Sequence, residues 1–131
     1  MARASAQPSA AEPSPHRAAD TRGRWAEALA EQALTAAGWS VLARRFRSPA
    51  GEIDLIAGKA GLVAFVEVKC RRTGAEAAFA LTERQRRRIA GAAEHWLADH
   101  PSAGPDGLRF DVLLVDRNGT VSRVADAFRM D

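Results

Sequence analysis

The stretch Gly51-Glu52-Ile53-Asp54-Leu55-Ile56 and the run Phe65-Val66-Glu67-Val68-Lys69 set two carboxylates and an ammonium among Ile, Leu, Val and Phe. Read as two neighbouring strands, one carries Asp54. The other carries Glu67 and Lys69 on a single face, because strand side chains alternate with period two. Charges in such surroundings cost free energy unless something compensates them, and a divalent metal acting on a phosphate would do so. Phosphodiester hydrolysis needs a nucleophilic water, neutralisation of charge at phosphorus and help for a leaving alkoxide. A bound Mg²⁺ supplies all three, and hard carboxylate oxygens suit it. Asp54 and Glu67 are therefore the expected ligands, with Mg²⁺ the expected cation and Mn²⁺ its alternate. The carbonyl of Val66 or Val68 is a further candidate oxygen. Lys69 is expected to position or polarise the attacking water and to stabilise developing negative charge. It is not assigned as a base, since carboxylates and phosphate act in opposite directions on its protonation.

Glu27, from the first helix, is expected to complete the ligand set or to orient a water. Glu52 shares the face of Asp54 but lies beside a turn, at the rim. Gln85 either caps a helix or points into the site with Ile89 and Ala92. Each residue also has an ordinary reading: Glu67 with Lys69 as a solvated pair on an edge strand, Asp54 as a solvent-facing strand residue, Glu27 as a surface-helix acid.

Charge is distributed unevenly around these residues. The chain has a formal net charge of +3, yet from Arg44 to Arg88 there are 11 Lys or Arg against 5 Asp or Glu. An enzyme drawing in a polyanion would require that bias, although a solvated basic surface would show it too. Arg84, Arg86, Arg87 and Arg88 open the second helix, where cations oppose the helix dipole. Phosphate contacts would explain them, with Arg44, Arg45, Arg47, Arg71 and Arg72 extending the footprint. No base-reading motif accompanies the patch.

The elements that must position this chemistry follow from periodicity. A leader rich in Ala, Pro and Ser, residues 1–20, is expected to be disordered, with Pro8, Pro13 and Pro15 breaking any helix. Residues 21–131 then form one domain. A helix is expected from Arg22 to Ala37, closed by Gly38, with Trp25, Leu29 and Ala33 as its apolar stripe and Trp25, Trp39 and Trp96 as core anchors. Strands follow at Trp39–Phe46, Glu52–Ala57 and Leu62–Cys70, joined by the Ser48–Gly51 and Gly58–Gly61 turns; the last strand is the most apolar and hence central. After an irregular loop through Gly74, Thr82 and Gln85 match a capping box for a helix burying Ile89, Ala92, Ala93, Trp96 and Leu97. Strands at Leu108–Val115 and Thr120–Val124 close the chain around Asn118-Gly119, a two-residue hairpin signal. The order gives an α/β class, a mixed β-sheet flanked by helices.

Other chemistry is poorly supported. Cys70, the single cysteine, excludes an internal disulfide and fits a reducing, cytoplasmic setting; its alternation with Val66 and Val68 predicts a buried thiol. His95 and His100 have no partners at zinc spacing. No run approaches the roughly 18 apolar residues of a membrane span, and no hydrophobic block follows Arg3 as a secretory signal would require.

The Gly51–Ile56 and Phe65–Lys69 segments, with Arg109-Phe110-Asp111-Val112 and Ala127-Phe128, resemble the small bacterial UPF0102, or YraN-like, proteins. That family is similar to the restriction-endonuclease-like superfamily and to archaeal Holliday-junction resolvases. The resemblance runs from about Gly23 to Phe128. It implies a restriction-endonuclease-like core, Asp54 as the first acid of the nuclease signature and Glu67 and Lys69 as its Glu-x-Lys portion. It also implies Glu27 as the accompanying first-helix acid and Gln85 as a polar second-helix position, while Asp111 organises its strand or Arg109. Arg45 stands where relatives often carry Asn, and Arg84 where Lys is common.

The expected function is metal-dependent, nuclease-like action on DNA, branched or damaged, with RNA also open. Two sites from a homodimer would be needed for symmetrical junction resolution. The alternative is a noncatalytic nucleic-acid-binding or recruitment module with a nuclease fold.

Overall fold

A computed structural model describes residues 15–71 and 81–124, with side chains from Thr21 onward. Arg72, the loop through Gly74 and the Ala127-Phe128 pair lie outside the described residues, as does most of the expected leader. The element order is α1 (Pro15–Ala36), β1 (Ser40–Ser48), β2 (Gly51–Lys59), β3 (Leu62–Cys70), α2 (Glu83–Ala98), β4 (Gly107–Val115) and β5 (Val121–Val124). The sheet runs in the order β1-β2-β3-β4-β5. Its first three strands form an antiparallel meander, β3 and β4 pair in parallel across the α2 crossover, and β5 returns antiparallel. It is the mixed sheet flanked by helices that a restriction-endonuclease-like core requires, with β3 at its centre.

Each face of the sheet buries one helix. On one side α2 supplies Ile89, Ala92, Ala93 and Trp96 to a core with Ile53, Ile56, Phe65, Phe110 and Val112; Phe65 meets Trp96 edge-on and stacks on Phe110. On the other side Ala30 and Leu34 of α1 pack with Trp39, Leu55, Ala64, Val66 and Leu113. Among the described residues no helix is long and apolar enough to cross a membrane.

α1 begins at Pro15, earlier than the expected Arg22, since a proline is accommodated in the first helical turn, where its missing N–H would have no partner. Its buried stripe is Ala26, Ala30 and Leu34, one residue over from the expected one, which leaves Trp25 42% exposed. The helix ends in a Schellman motif: the N–H of Trp39 donates to Leu34 and that of Gly38, at φ +94°, to Thr35. The second helix has the expected capping box, with Thr82 Oγ1 accepting from the Gln85 N–H and Gln85 Oε1 from the Thr82 N–H.

Two further expectations are corrected. Cys70 is exposed, because burial fades along its face of β3 from Val66 towards the strand end. The β4–β5 connection is not a two-residue turn: the Gly119 N–H donates to the Asp116 carbonyl and the Asp116 N–H to the Thr120 carbonyl. Only Gly119 has positive φ there, giving a three-residue loop with a glycine bulge.

Two turns yield predictions. Ala60 and Gly61 hold φ of +52° and +80° between β2 and β3, the pattern of a type I′ turn that favours Asn-Gly. Ala60→Asn should relieve the left-handed cost and raise unfolding free energy by about 1 kcal/mol, measurable by urea denaturation. At the opposite end of the sheet, a Cβ on Gly91 of α2 would come within 2.7 Å of the Ala50 Cβ, and one on Gly51 within 2.9 Å of the Arg88 carbonyl oxygen. Gly91→Ala should therefore lower the melting temperature, overpacking outweighing a helix-propensity gain of about 1 kcal/mol.

Candidate functional site

Pairing between β2 and β3 runs from Lys59↔Leu62 to Leu55↔Val66 and stops there. On either side the pairing continues, β1–β2 to Ser48↔Gly51 and β3–β4 to Cys70↔Val115. The next couple in the β2–β3 register would be Asp54 opposite Glu67. Instead of a backbone partner, the Val68 N–H meets Asp54 Oδ2 at 2.8 Å.

The facing of side chains also changes at the same point, while the β1–β2 register holds there and shifts between Val41 and Ala43. Ile53 and Ile56 both join the α2-side core, as Ala43 and Phe46 of β1 both pack against it, although residues three apart on a regular strand face opposite sides. The change falls at Asp54–Leu55 on β2. Facing Asp54 between the pairs Arg44↔Leu55 and Phe46↔Ile53 is Arg45, at a left-handed φ of +49°.

Asp54 consequently borders cavities on both faces. On the α2 side, a cavity of about 200 Å³ is lined by Glu52, Asp54, Glu67, Lys69, Gln85 and Arg88. Asp54, Glu67, Lys69 and Gln85, expected to share a site, are thus brought together. Lys69 Nζ lies 3.5 Å from Glu67 Oε1. Glu52 stands at the rim, bound by Arg47. Gln85 serves both expected purposes, capping α2 and lining the cavity.

Glu27 is placed differently. It lines the α1-side cavity with Arg45, Glu31, Arg44 and Asp54, and Arg45 Nε donates to its carboxylate at 2.9 Å. The sheet stands between Glu27 and Glu67. Among the described residues no three acidic, His or Cys groups gather into a metal cluster; Glu27 shares a cavity with Asp54 and is ion-paired with Arg45.

Electrostatics at the pair are informative. The Asp54 carboxyl is pushed up from its ordinary 3.8 to about 7, chiefly by burial and then by the Glu67 charge, against the opposing pull of the Val68 N–H and Lys69. A divalent cation would remove that penalty, because its charge favours both ionised carboxylates. Two carboxylates open to a cavity fit Mg²⁺, which takes one or two protein carboxylates and completes its shell with water and phosphate.

The arginines fall into two groups. Arg44, Arg45 and Arg47 of β1 are paired with Glu31, Glu27 and Glu52, and Arg71 Nη1 donates to the Cys70 carbonyl. Arg84, Arg86, Arg87 and Arg88 are exposed and show no ion pair with the described residues.

Arg123 was not foreseen. It clasps the buried Asp111 through Nε at 3.0 Å and through Nη2, with Arg109 on the same carboxylate; both guanidinium groups lie over the Trp39 ring. Asp111 organises its strand, as expected, rather than the site. The signal was the hairpin register, which pairs Leu113 with Arg123 and so sets Arg123 diagonal to Asp111.

The model of the "Uncharacterised protein family UPF0102" matches residues 26–115. A UPF0102 protein of Granulibacter bethesdensis is 55% identical over 109 residues, spanning 83% of this chain and 69% of that protein. One of Azorhizobium caulinodans is 48% identical over 114 residues, spanning 87% of each. One of Bradyrhizobium sp. (strain ORS 278) is 55% identical over 103 residues, spanning 78% and 73%.

The raised Asp54 pKa predicts a pH dependence of stability. The folded carboxyl holds its proton more tightly than the unfolded one, so stability falls as pH rises from 3.8 to about 7, and the loss is complete above that. Asp54→Asn, which mimics the protonated acid, should have a higher unfolding free energy than the parent at pH 8 in EDTA, by on the order of 2 kcal/mol. At pH 4 the difference should largely vanish.

Proposed function

The chain belongs to the UPF0102 family, and from that premise we propose that it is a metal-dependent, nuclease-like phosphodiesterase acting on DNA. The observation that carries the reading is the meeting of Asp54, Glu67 and Lys69 where β2 and β3 cease to pair, beside the exposed arginines of α2. Asp54 and Glu67 would hold the cation, Mg²⁺ or Mn²⁺. When bound, such a cation lowers the pKa of a water and offsets charge on the phosphoryl group.

The chain's own residues do the rest. The Val68 N–H holds Asp54 Oδ2 in place at the cavity wall. Lys69, 3.5 Å from Glu67, keeps its ammonium at the cavity wall, where it can orient a water and meet negative charge developing on a phosphate. Arg88, in the same wall, and Arg84, Arg86 and Arg87 on the exposed start of α2 supply sequence-independent phosphate contacts. Glu27 acts through Arg45, holding the left-handed residue that faces Asp54; it is a positioning residue in this scheme.

Cleavage of linear, nicked, single-stranded and four-way-junction DNA, with matched RNA, under Mg²⁺, Mn²⁺ and EDTA tests the proposal. Metal-dependent cutting should appear and fall by at least about 100-fold in Asp54→Ala, Glu67→Ala and Lys69→Ala, with each variant still folded by circular dichroism. Undiminished cutting in all three would overturn it. Salt-sensitive binding without turnover on any substrate would assign the chain to the alternative class, a noncatalytic nucleic-acid-binding or recruitment module.

A further inference from the structure

A separate cleft lies beyond the carboxyl ends of the parallel strands β3 and β4, roofed by the exposed part of α1. Its volume is about 680 Å³, and its walls include Arg22, Trp25, Cys70, Arg71, Val115 and Arg117. Three features set it apart from ordinary surface. Trp25 is 42% exposed, whereas Trp39 and Trp96 are each 4% exposed. A Cβ built on Gly119 would lie 3.7 Å from its ring, so the indole stands beside the β4–β5 loop. The guanidinium groups of Arg22 and Arg117 are exposed and enter no ion pair with the described residues. The carboxylate at this cleft, Asp116, is occupied internally: its Oδ1 accepts the N–H groups of Asn118 and Thr120.

A half-exposed indole among cations is the chemistry that takes a planar, electron-rich ring attached to phosphate. Burying a nucleobase on Trp25 gains stacking energy that is indifferent to base identity, while the arginines lining the same cleft can meet the flanking phosphates. A base inside a duplex has no free face to offer. The cleft shares no lining residue with the α2-side cavity, and the end of β3 is what links the two. Lys69 faces the α2-side cavity and Arg71 the cleft, two residues apart on one chain, about 7 Å at strand rise and on the order of two nucleotide steps.

We propose that this cleft is a stacking site for an unpaired nucleotide, engaging a single-stranded segment that leads over the end of β3 to Glu67 and Lys69. The inference rests on the reading of the protein as nucleic-acid-binding and narrows its substrate to nucleic acid with an unpaired stretch. Trp25 is then a binding residue, and Arg22, Arg71 and Arg117 are phosphate contacts.

The test uses the full chain in EDTA, where no cleavage occurs. Oligothymidylate and a duplex of equal length are titrated, following tryptophan fluorescence and the anisotropy of a dye on the DNA. The single strand should quench the fluorescence, since Trp25 is the exposed indole of the three, and the duplex should not. Trp25→Ala should weaken single-strand binding about tenfold and leave duplex binding within about twofold, with Trp25→Phe in between. Arg117→Glu, on an exposed turn away from the core, should weaken the single strand selectively even if Trp25→Ala fails to fold. Absence of quenching, or equal losses on both DNAs in the folded variants, would overturn the proposal. Because binding alone is scored, lack of nuclease turnover leaves the proposal standing, and an active nuclease with no single-strand preference defeats it.

Discussion

The Val68 N–H that donates to the Asp54 carboxylate is the interaction on which the site's architecture turns. In a continuing antiparallel pair that N–H would belong to the backbone ladder, and Asp54 and Glu67 would sit as like charges directly opposed, an arrangement that destabilises a sheet. Here the β2–β3 ladder ends one couple earlier, at Leu55↔Val66. The freed donor satisfies a partly buried carboxylate that would otherwise lack compensation. β2 remains held by β1, and β3 by β4, so the interruption is confined to one seam of the sheet.

The hydrophobic layers make that interruption sustainable. Ile53 and Leu55, which flank Asp54, are both fully buried, on opposite faces. Asp54 cannot swing away without dragging one of them into water, at a cost of roughly 2 kcal/mol or more. The left-handed Arg45 across the β1–β2 pair is a conformation that a non-glycine residue adopts at some expense, and its bond to Glu27 helps to hold it. Conformational strain beside a charged cavity is the arrangement expected where a fold is shaped for chemistry rather than for stability alone.

The same economy governs the far side of the sheet. Asp111 is buried, yet two arginines and the Trp39 ring surround it, so its charge is satisfied and directed inward. Asp54 and Glu67 differ: among the described residues no arginine is ion-paired with either, although Arg88 lines their cavity. Burial and the Glu67 charge push the Asp54 carboxyl towards neutrality. The buried Asp111 is held within a structural pair, whereas Asp54 and Glu67 carry an electrostatic cost beside a cavity.

Much of this was legible in the chain itself. Alternation in Phe65–Lys69 put Glu67 and Lys69 on one face, the apolar run of β3 made it central, Thr82 with Gln85 specified the start of α2, and Gly38 the end of α1. Such signals are local: they depend on residues within a turn or a strand, and backbone geometry translates them directly. Other features needed the folded chain. Whether Glu27 joins Glu67 depends on which side of the sheet α1 packs, and periodicity of one helix carries no information about that. The one-residue shift of the α1 stripe, which exposes Trp25, follows from small alanines letting the helix approach the sheet. Burial of Cys70 depended on where the covering layer ends. Above all, the chain determined which groups could do chemistry, but only the premature end of the β2–β3 ladder decided that Asp54 should face both cavities, because pairing between distant segments, not sequence spacing, sets where a sheet comes apart.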